Sequence, residues 1–336
     1  MKAYEIVSPD GVDALKLADR STPEAGHGQV LVRVHASSVN YRDLLTVEDP
    51  VSRRLPYPRI PNSDCAGEVI GVGPGVSGFG VGDRVAGCFF QRWVDGPVTA
   101  DAMASALGGA IDGVLAQEVV LDEAGAVTVP EHMSYEQAAT LPCAALTAWH
   151  ALVEKGQLRA GDTVLLLGTG GVSIFALQIA AMHNARAIVT SSSDEKLERA
   201  RAMGAWQTIN YRQAPDWEQR VRELTDDVGV DHVVEVGGAG TLEKSIASSR
   251  VGGHIALIGV LTGGQINPMM IMRNSLRLHG IYVGSQAMFK SMNRAFEAAR
   301  LEPVIDQTVP FEAARDAFHS MRGAGHFGKI VISFDD

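Results

Sequence analysis

Short apolar runs with strand-like alternation fill the first third of the chain: KAYEIV, QVLVRVHASSV, CAGEVIGVG, GDRVAG and LAQEVVLD, parted by clusters of Gly, Pro and Asp. The pattern predicts a barrel or sandwich domain over residues 1–125, with the Ala- and Gly-rich stretch from Cys88 to Val114 as an excursion from it. From 126 to 284 the rhythm changes. TVLLL, AIVT, QTI, HVVEV, HIALIG and LHGIYV alternate with helical stretches, which implies right-handed crossovers and a parallel sheet. Six such strands are the number in a doubly wound dinucleotide domain, a Rossmann α/β fold. Residues 285–336 hold two helical patterns, MNRAFEAAR and EAARDAFHSM, and the apolar strand KIVISF. That strand belongs more naturally to the first domain's sheet, so 126–284 reads as an insertion between two parts of the other domain.

The stretch LLLGTGGVSIFALQIA (165–180) is a strand entering a glycine turn and leaving as a helix. Gly168 and Gly170 let the backbone approach a pyrophosphate, which the N–H groups and dipole of the helix start would hold. Gly171 adds freedom to the loop. Where the dinucleotide pattern G-x-G-x-x-G would end in glycine stands Ser173, the smallest replacement that adds only an oxygen. A lone glycine turn is equally an ordinary strand-to-helix connection; opening the first of six alternating strands is what makes it a nucleotide site. The second strand, in TSSSDEKLERA, ends near Thr190 and Ser191 without a carboxylate for the ribose hydroxyls. Ser192 and Glu195 have the spacing of a helix capping box, which leaves the acids a structural task. Ser191, Ser192 and Lys196 offer hydroxyls and a cation where a 2′-phosphate would sit, favouring NADP(H). By itself Lys196 is also a solvated helix position.

Composition narrows the class. Of 336 residues, 46% are hydrophobic and 20% charged, the balance of a soluble globular protein, and the length suits two domains. Twenty-nine basic against 39 acidic residues, a net charge of −10 with no basic stripe, argue against nucleic acid. No apolar run approaches the roughly 20 residues that span a bilayer. The start MKAYEIVSPDG lacks a secretory pattern, and three scattered cysteines, Cys65, Cys88 and Cys143, suit a reducing compartment, so a cytoplasmic protein is expected. The apolar edge LHGIYV would need covering, which suggests a homodimer.

Six segments in this order resemble the medium-chain dehydrogenase/reductase superfamily: ASSVNYRDLL (36–45), IPNSDCAGEVIGVGPGV (60–76), GDRVAG (82–87), LPCAALTAWHAL (141–152), GTGGVS, and GHFGKIVI (325–332). The likeness covers essentially the whole chain and is greatest to the zinc-free quinone reductase and enoyl reductase branch. It implies a GroES-like β-barrel catalytic domain around the Rossmann domain. Zinc members hold their metal with a Cys, a His in G-H-E and a second Cys; here Asn40, Ser63 and Cys143 stand at those positions, and one thiolate cannot hold tetrahedral zinc. The four-cysteine structural-zinc lobe is also missing.

The resemblance implies that Asn40 and Asp43 line the nicotinamide pocket, with Tyr41 and Arg42 as proton or hydrogen-bond donors. Asp43 paired with a base and Tyr41 in a core are the plainer alternatives. It also implies cofactor contacts from Thr147; from Gly168, Gly170, Gly171 and Val172; from Ser191, Ser192, Lys196 and Tyr211; and from Gly259, Val260, Val283, Ser285 and Lys329. Without a metal to stabilise an alkoxide, hydride transfer to a quinone or to the C=C of an α,β-unsaturated carbonyl is the easier chemistry. A metal-free alcohol dehydrogenase and a non-catalytic NADPH-binding protein are the competing readings.

Overall fold

The computed structural model describes residues 1–259 and 261–334. Its strands are β1 (Lys2–Glu5), β2 (Lys16–Asp19), β3 (Gln29–Val39), β4 (Asp64–Val72), β5 (Arg84–Gly87), β6 (Glu118–Asp122), β7 (Ala126–Thr128) and β8 (Thr163–Leu167). There follow β9 (Arg186–Ser191), β10 (Gln207–Asn210), β11 (Val230–Glu235), β12 (Ser249–Leu257), β13 (Arg277–Gly280), β14 (Ile305–Pro310) and β15 (Lys329–Ser333). The chain divides into two compact units, one made of Met1–Leu146 and the segment from Val283 on, the other of Thr147–Tyr282. Residues 126–146 fall in the first unit, where β7 pairs with β5.

In the first unit, seven strands form one mixed sheet in the order β14-β15-β3-β4-β5-β7, with β6 paired to β3. Strand β3 is its axis, because alternate residues Val30, Val32 and Val34 point into an apolar core with Leu121, Ile330, Ile332 and Phe318. As its sequence suggested, β15 joins this sheet: it pairs antiparallel with β3, placing Ile330 opposite Val39. That register brings Lys329 beside the point where β3 ends and the helix Tyr41–Glu48 begins.

The second unit is a parallel six-stranded sheet in the order β10-β9-β8-β11-β12-β13. All five residues of β8 are buried, as expected of a central strand covered on both faces. Successive crossovers run outward in opposite directions from β8 and β11, so the carboxyl ends of these neighbours form the switch point where such sheets bind ligands. The edge strand is shorter than LHGIYV implied, since β13 ends at Gly280. Val283, three residues on, has φ 54°, a left-handed backbone that a β-branched residue rarely adopts and that cannot continue a strand.

Three histidines line up across the neighbouring strands β11, β12 and β13: ring centres lie 5.7 Å apart for His232 and His254, and 5.1 Å for His254 and His279. His232 Nε2 is 3.0 Å from Asp162 Oδ2, but neither ring nitrogen of the fully buried His254 has a protein partner. Burial, reinforced by His232, His279 and Arg277, pushes its pKa down to about 3. A histidine held neutral in the fold but free to protonate when unfolded contributes stability that is present above the ordinary value of 6.5 and lost as pH falls below it.

His254→Leu is therefore expected to stabilise the protein by about 1–3 kcal/mol near neutrality, by removing an unsatisfied buried polar group. Its margin over the wild type should widen from pH 6.5 toward 4, by at most about 1.4 kcal/mol per pH unit. Denaturant unfolding at pH 7.5, 6.0 and 5.0 checks this; a margin that does not change with pH would contradict it.

Candidate functional site

The glycine turn has the form an anion needs. Gly168 takes φ +74°, and its N–H reaches Thr190 Oγ1 at 3.3 Å, which ties the turn to the end of β9. Gly170 is the N-cap of the helix Gly171–Met182, whose first turn, with Val172 in it, carries no acidic residue. The helix dipole is thus available to a pyrophosphate. Ser173 resolves the departure from the glycine pattern: it is buried and its Oγ donates to Leu167 O at 2.7 Å, so the hydroxyl satisfies the strand's last carbonyl while helix and strand stay close.

At the end of β9, the helix Asp194–Ala202 is capped by Ser193, whose Oγ accepts from Lys196 N at 3.3 Å. The expected capping box from Ser192 to Glu195 is corrected by one residue. The strand runs through Ser191, and Ser193 N turns back onto Ser191 Oγ at 3.3 Å, which takes up one more residue before the helix. Asp194 is engaged away from the strand end: Asn210 Nδ2 and Gln213 Nε2 donate to its two oxygens at 2.7 and 2.9 Å. Tyr211 N donates to Ser191 O at 3.0 Å, which sets Tyr211 beside the end of β9, where Ser191, Ser192 and the helix turn that carries Lys196 follow one another.

Gly259 is required by close approach, for a Cβ there would lie 1.7 Å from Val236 O. Val260 lies outside the described residues. Thr147 is buried at the start of the second unit. A residue that the sequence did not single out, the fully buried Glu235, organises the loop after β11. Its Oε1 accepts from Gly237 N (2.7 Å), Gly238 N (3.0 Å) and Thr241 Oγ1 (2.6 Å), and Oε2 accepts from Ser245 Oγ. Only its place at a strand's carboxyl end could have signalled it.

The first unit gathers Asn40, Asp43 and Lys329. Asp43 is fully buried with both oxygens used, one accepting from Asn40 N at 2.9 Å, the other from Arg42 Nη1 at 3.0 Å. Arg42 also lies 4.4 Å over the Phe89 ring. Lys329, 2% exposed, donates to Val39 O at 3.0 Å and to Asn40 Oδ1 at 2.5 Å. Tyr41 stands apart at 41% exposure. Ser285 caps the helix Gln286–Ala299 by accepting from Met288 N at 3.2 Å, and Val283 is the left-handed residue just before it.

Asp64, which the sequence showed only within IPNSDCAGEVIGVGPGV, completes this cluster. Ser63 Oγ and Cys143 N donate to its oxygens at 2.6 and 3.1 Å. Burial drives its pKa up to about 6 against the opposing pull of Lys329, with Asp43 adding to the rise. The Cys143 thiol is pushed up by burial and by Asp64, so it stays a thiol. These donors do not fit zinc: Asn40 Oδ1 faces an ammonium, the Ser63 hydroxyl serves Asp64, and Cys143 alone offers sulfur. Among the described residues no three His, Cys, Asp or Glu side chains are placed to hold a metal.

A family model described as Alcohol dehydrogenase GroES-like domain matches residues 26–131, and one described as Zinc-binding dehydrogenase matches 171–298. The chain is 41% identical to a zinc-type alcohol dehydrogenase-like protein of Schizosaccharomyces pombe, over 97% of this chain and 96% of that one. It is 28% identical to the quinone oxidoreductase of Rattus norvegicus, over 99% and 97%. A crystal structure named NAD-dependent alcohol dehydrogenase superposes with a TM-score of 0.91 at 34% identity, covering 100% of both chains. The chain belongs to the medium-chain dehydrogenase/reductase superfamily. It is an oxidoreductase of the NAD(P)-binding dehydrogenases. No described helix is long and apolar enough to cross a membrane.

Because the folded pKa of Asp64 lies above its ordinary 3.8, its contribution to stability is fully present below that value and lost as pH rises through about 6. Asp64→Asn removes the titration. The stability of the variant relative to wild type should therefore fall as pH drops from 7.5 to 4.5, at up to about 1.4 kcal/mol per unit. Paired denaturant curves measure it, and parallel profiles would refute the assignment.

Proposed function

We propose that the protein is an NADPH-dependent, zinc-independent reductase of quinones or of the C=C of α,β-unsaturated carbonyls. The observation that carries this reading is the buried ammonium of Lys329 on Asn40 Oδ1, a cation facing the acceptor that a catalytic metal would need. Asn40 replaces a metal ligand with an amide, and an amide N–H can stabilise an oxyanion but cannot bind a Lewis acid.

The reduced nicotinamide supplies a hydride when bound. What this chain does is hold and polarise. The glycine turn at Gly168, Gly170, Gly171 and Val172 meets the pyrophosphate with backbone N–H groups. Ser191, Ser192 and Lys196 meet the 2′-phosphate, while Asp194, engaged with Asn210 and Gln213, is kept from repelling it. Asn40 donates to the substrate oxygen as negative charge grows there. Asp43 orients the start of the helix Tyr41–Glu48 through Asn40 N and Arg42, and as a group that only accepts it does not stabilise an oxyanion itself. We assign proton release to Tyr41, the exposed first residue of that helix, with water as its competitor. The relative named quinone oxidoreductase supports the substrate class. The same reading pairs two chains through the exposed edge of β13.

Steady-state assays of protein dialysed exhaustively against chelator, with a quinone, an enone and a primary alcohol, test the reading. The expected result is reduction of a quinone or enone with NADPH at an undiminished rate. Zinc-dependent turnover of the alcohol would contradict it, as would binding of NADPH with no turnover of any of the three.

For cofactor choice, Lys196→Ala should weaken NADPH binding roughly 10- to 100-fold, the loss of one charge-assisted contact. NADH binding should hardly change. Equal weakening of both cofactors would remove Lys196 from the phosphate site.

A further inference from the structure

A side-chain amide has two ends of nearly the same shape, one accepting and one donating, and its neighbours decide which end faces the reacting groups. Asn40 is 7% exposed, and its Nδ2 is buried without a hydrogen-bond partner in the protein. Its Oδ1, by contrast, lies 2.5 Å from Lys329 Nζ. An ammonium has three donors and no acceptor, so only the amide oxygen can face it. Lys329 cannot swing away cheaply either, since it is 2% exposed and its second bond, to Val39 O at 3.0 Å, anchors it on the last residue of β3. A second neighbour selects the same orientation. The Asp64 carboxylate, which only accepts, is favoured by the amide of Asn40, although the two make no hydrogen bond of ordinary geometry. A cation at the oxygen and an anion near the nitrogen leave one stable setting, with N–H groups unspent.

We infer that Lys329 is a positioning residue: by holding Asn40 Oδ1 it presents Nδ2 as the donor to the substrate oxygen, and it acts on turnover through Asn40 rather than by touching cofactor or substrate. This rests on the reduction proposed above. It also reassigns Lys329, which the family resemblance placed beside the nicotinamide, to the amide of Asn40.

A double-mutant cycle tests it, using whichever quinone or enone the wild type reduces, with kcat, KM, the Kd of NADPH and the unfolding temperature measured for each variant. Asn40→Ala should lower kcat on the order of 10²- to 10³-fold, the cost of one oxyanion donor. Lys329→Met should lower kcat roughly 10- to 100-fold in the wild-type background and scarcely at all in Asn40→Ala, because the two act as one unit. The Kd of NADPH should stay near wild type throughout. Lys329→Arg, which can still donate to Oδ1, should restore part of the lost rate.

If Lys329→Met fails to fold, Asn40→Asp decides the question. It keeps an oxygen on Lys329 and the helix cap but has no N–H to offer, so kcat should fall to the level of Asn40→Ala, with folding checked by the far-UV spectrum because the new carboxylate sits beside Asp64. An equal cost of Lys329→Met in both backgrounds, an effect confined to the Kd of NADPH, or wild-type turnover by Asn40→Asp would overturn the inference. A wild type that reduces neither a quinone nor an enone would instead overturn the proposed function.

Discussion

The antiparallel pairing of β15 with β3 is the contact on which the chemistry of the first unit depends. It joins residues almost 300 positions apart and puts Ile330 opposite Val39. Slipping this register by one residue would turn Ile330 and Ile332 out of the core and carry Lys329 away from Asn40, so the apolar alternation that stabilises the sheet also sets the ammonium in place. A buried lysine costs several kcal/mol unless its hydrogens are met. Here a carbonyl and an amide oxygen meet two of them, and the carboxylate of Asp64 compensates the charge.

Around that cation the buried polar groups form one system. Asp43 joins the backbone of Asn40 to the guanidinium of Arg42, while Asp64 joins Ser63 to the backbone of Cys143. Two carboxylates and two cations share a small volume, so each is defined by the others, and removal of one partner should be felt by all. Where zinc-dependent members of the superfamily are expected to use thiolates and imidazole, this chain has an amide, a hydroxyl and a thiol held protonated. The second unit follows a separate logic of glycine turns, strand-end hydroxyls and one buried organising acid, Glu235.

Much of this could be read from residue order. The six parallel strands, the return of KIVISF to the first sheet and the glycine turn follow from periodicity and from residues whose backbone needs are strict. What escaped depended on contacts across long separations or on a single residue's torsion. Ser193 rather than Ser192 caps its helix because β9 runs one residue further than its apolar run implies. The edge strand stops at Gly280, and Val283, three residues on, takes a left-handed backbone that its β-branched side chain gave no reason to expect. Asp64 and Glu235 look like ordinary acids in sequence and acquire their roles only through burial and through Ser63, Cys143, Gly237 and Ser245. The partner of Lys329 was likewise hidden, since nothing near GHFGKIVI points to Asn40.

The central claim is that an amide donor, with no metal, stabilises negative charge on the oxygen of a conjugated acceptor as hydride arrives. Tracing the label is its most direct test. With NADPH deuterated at the transferring position and an α,β-unsaturated ketone, the account predicts deuterium at the β-carbon, a solvent hydrogen at the α-carbon and an intact carbonyl in the product. Deuterium on the carbonyl carbon, giving an allylic alcohol, would contradict it.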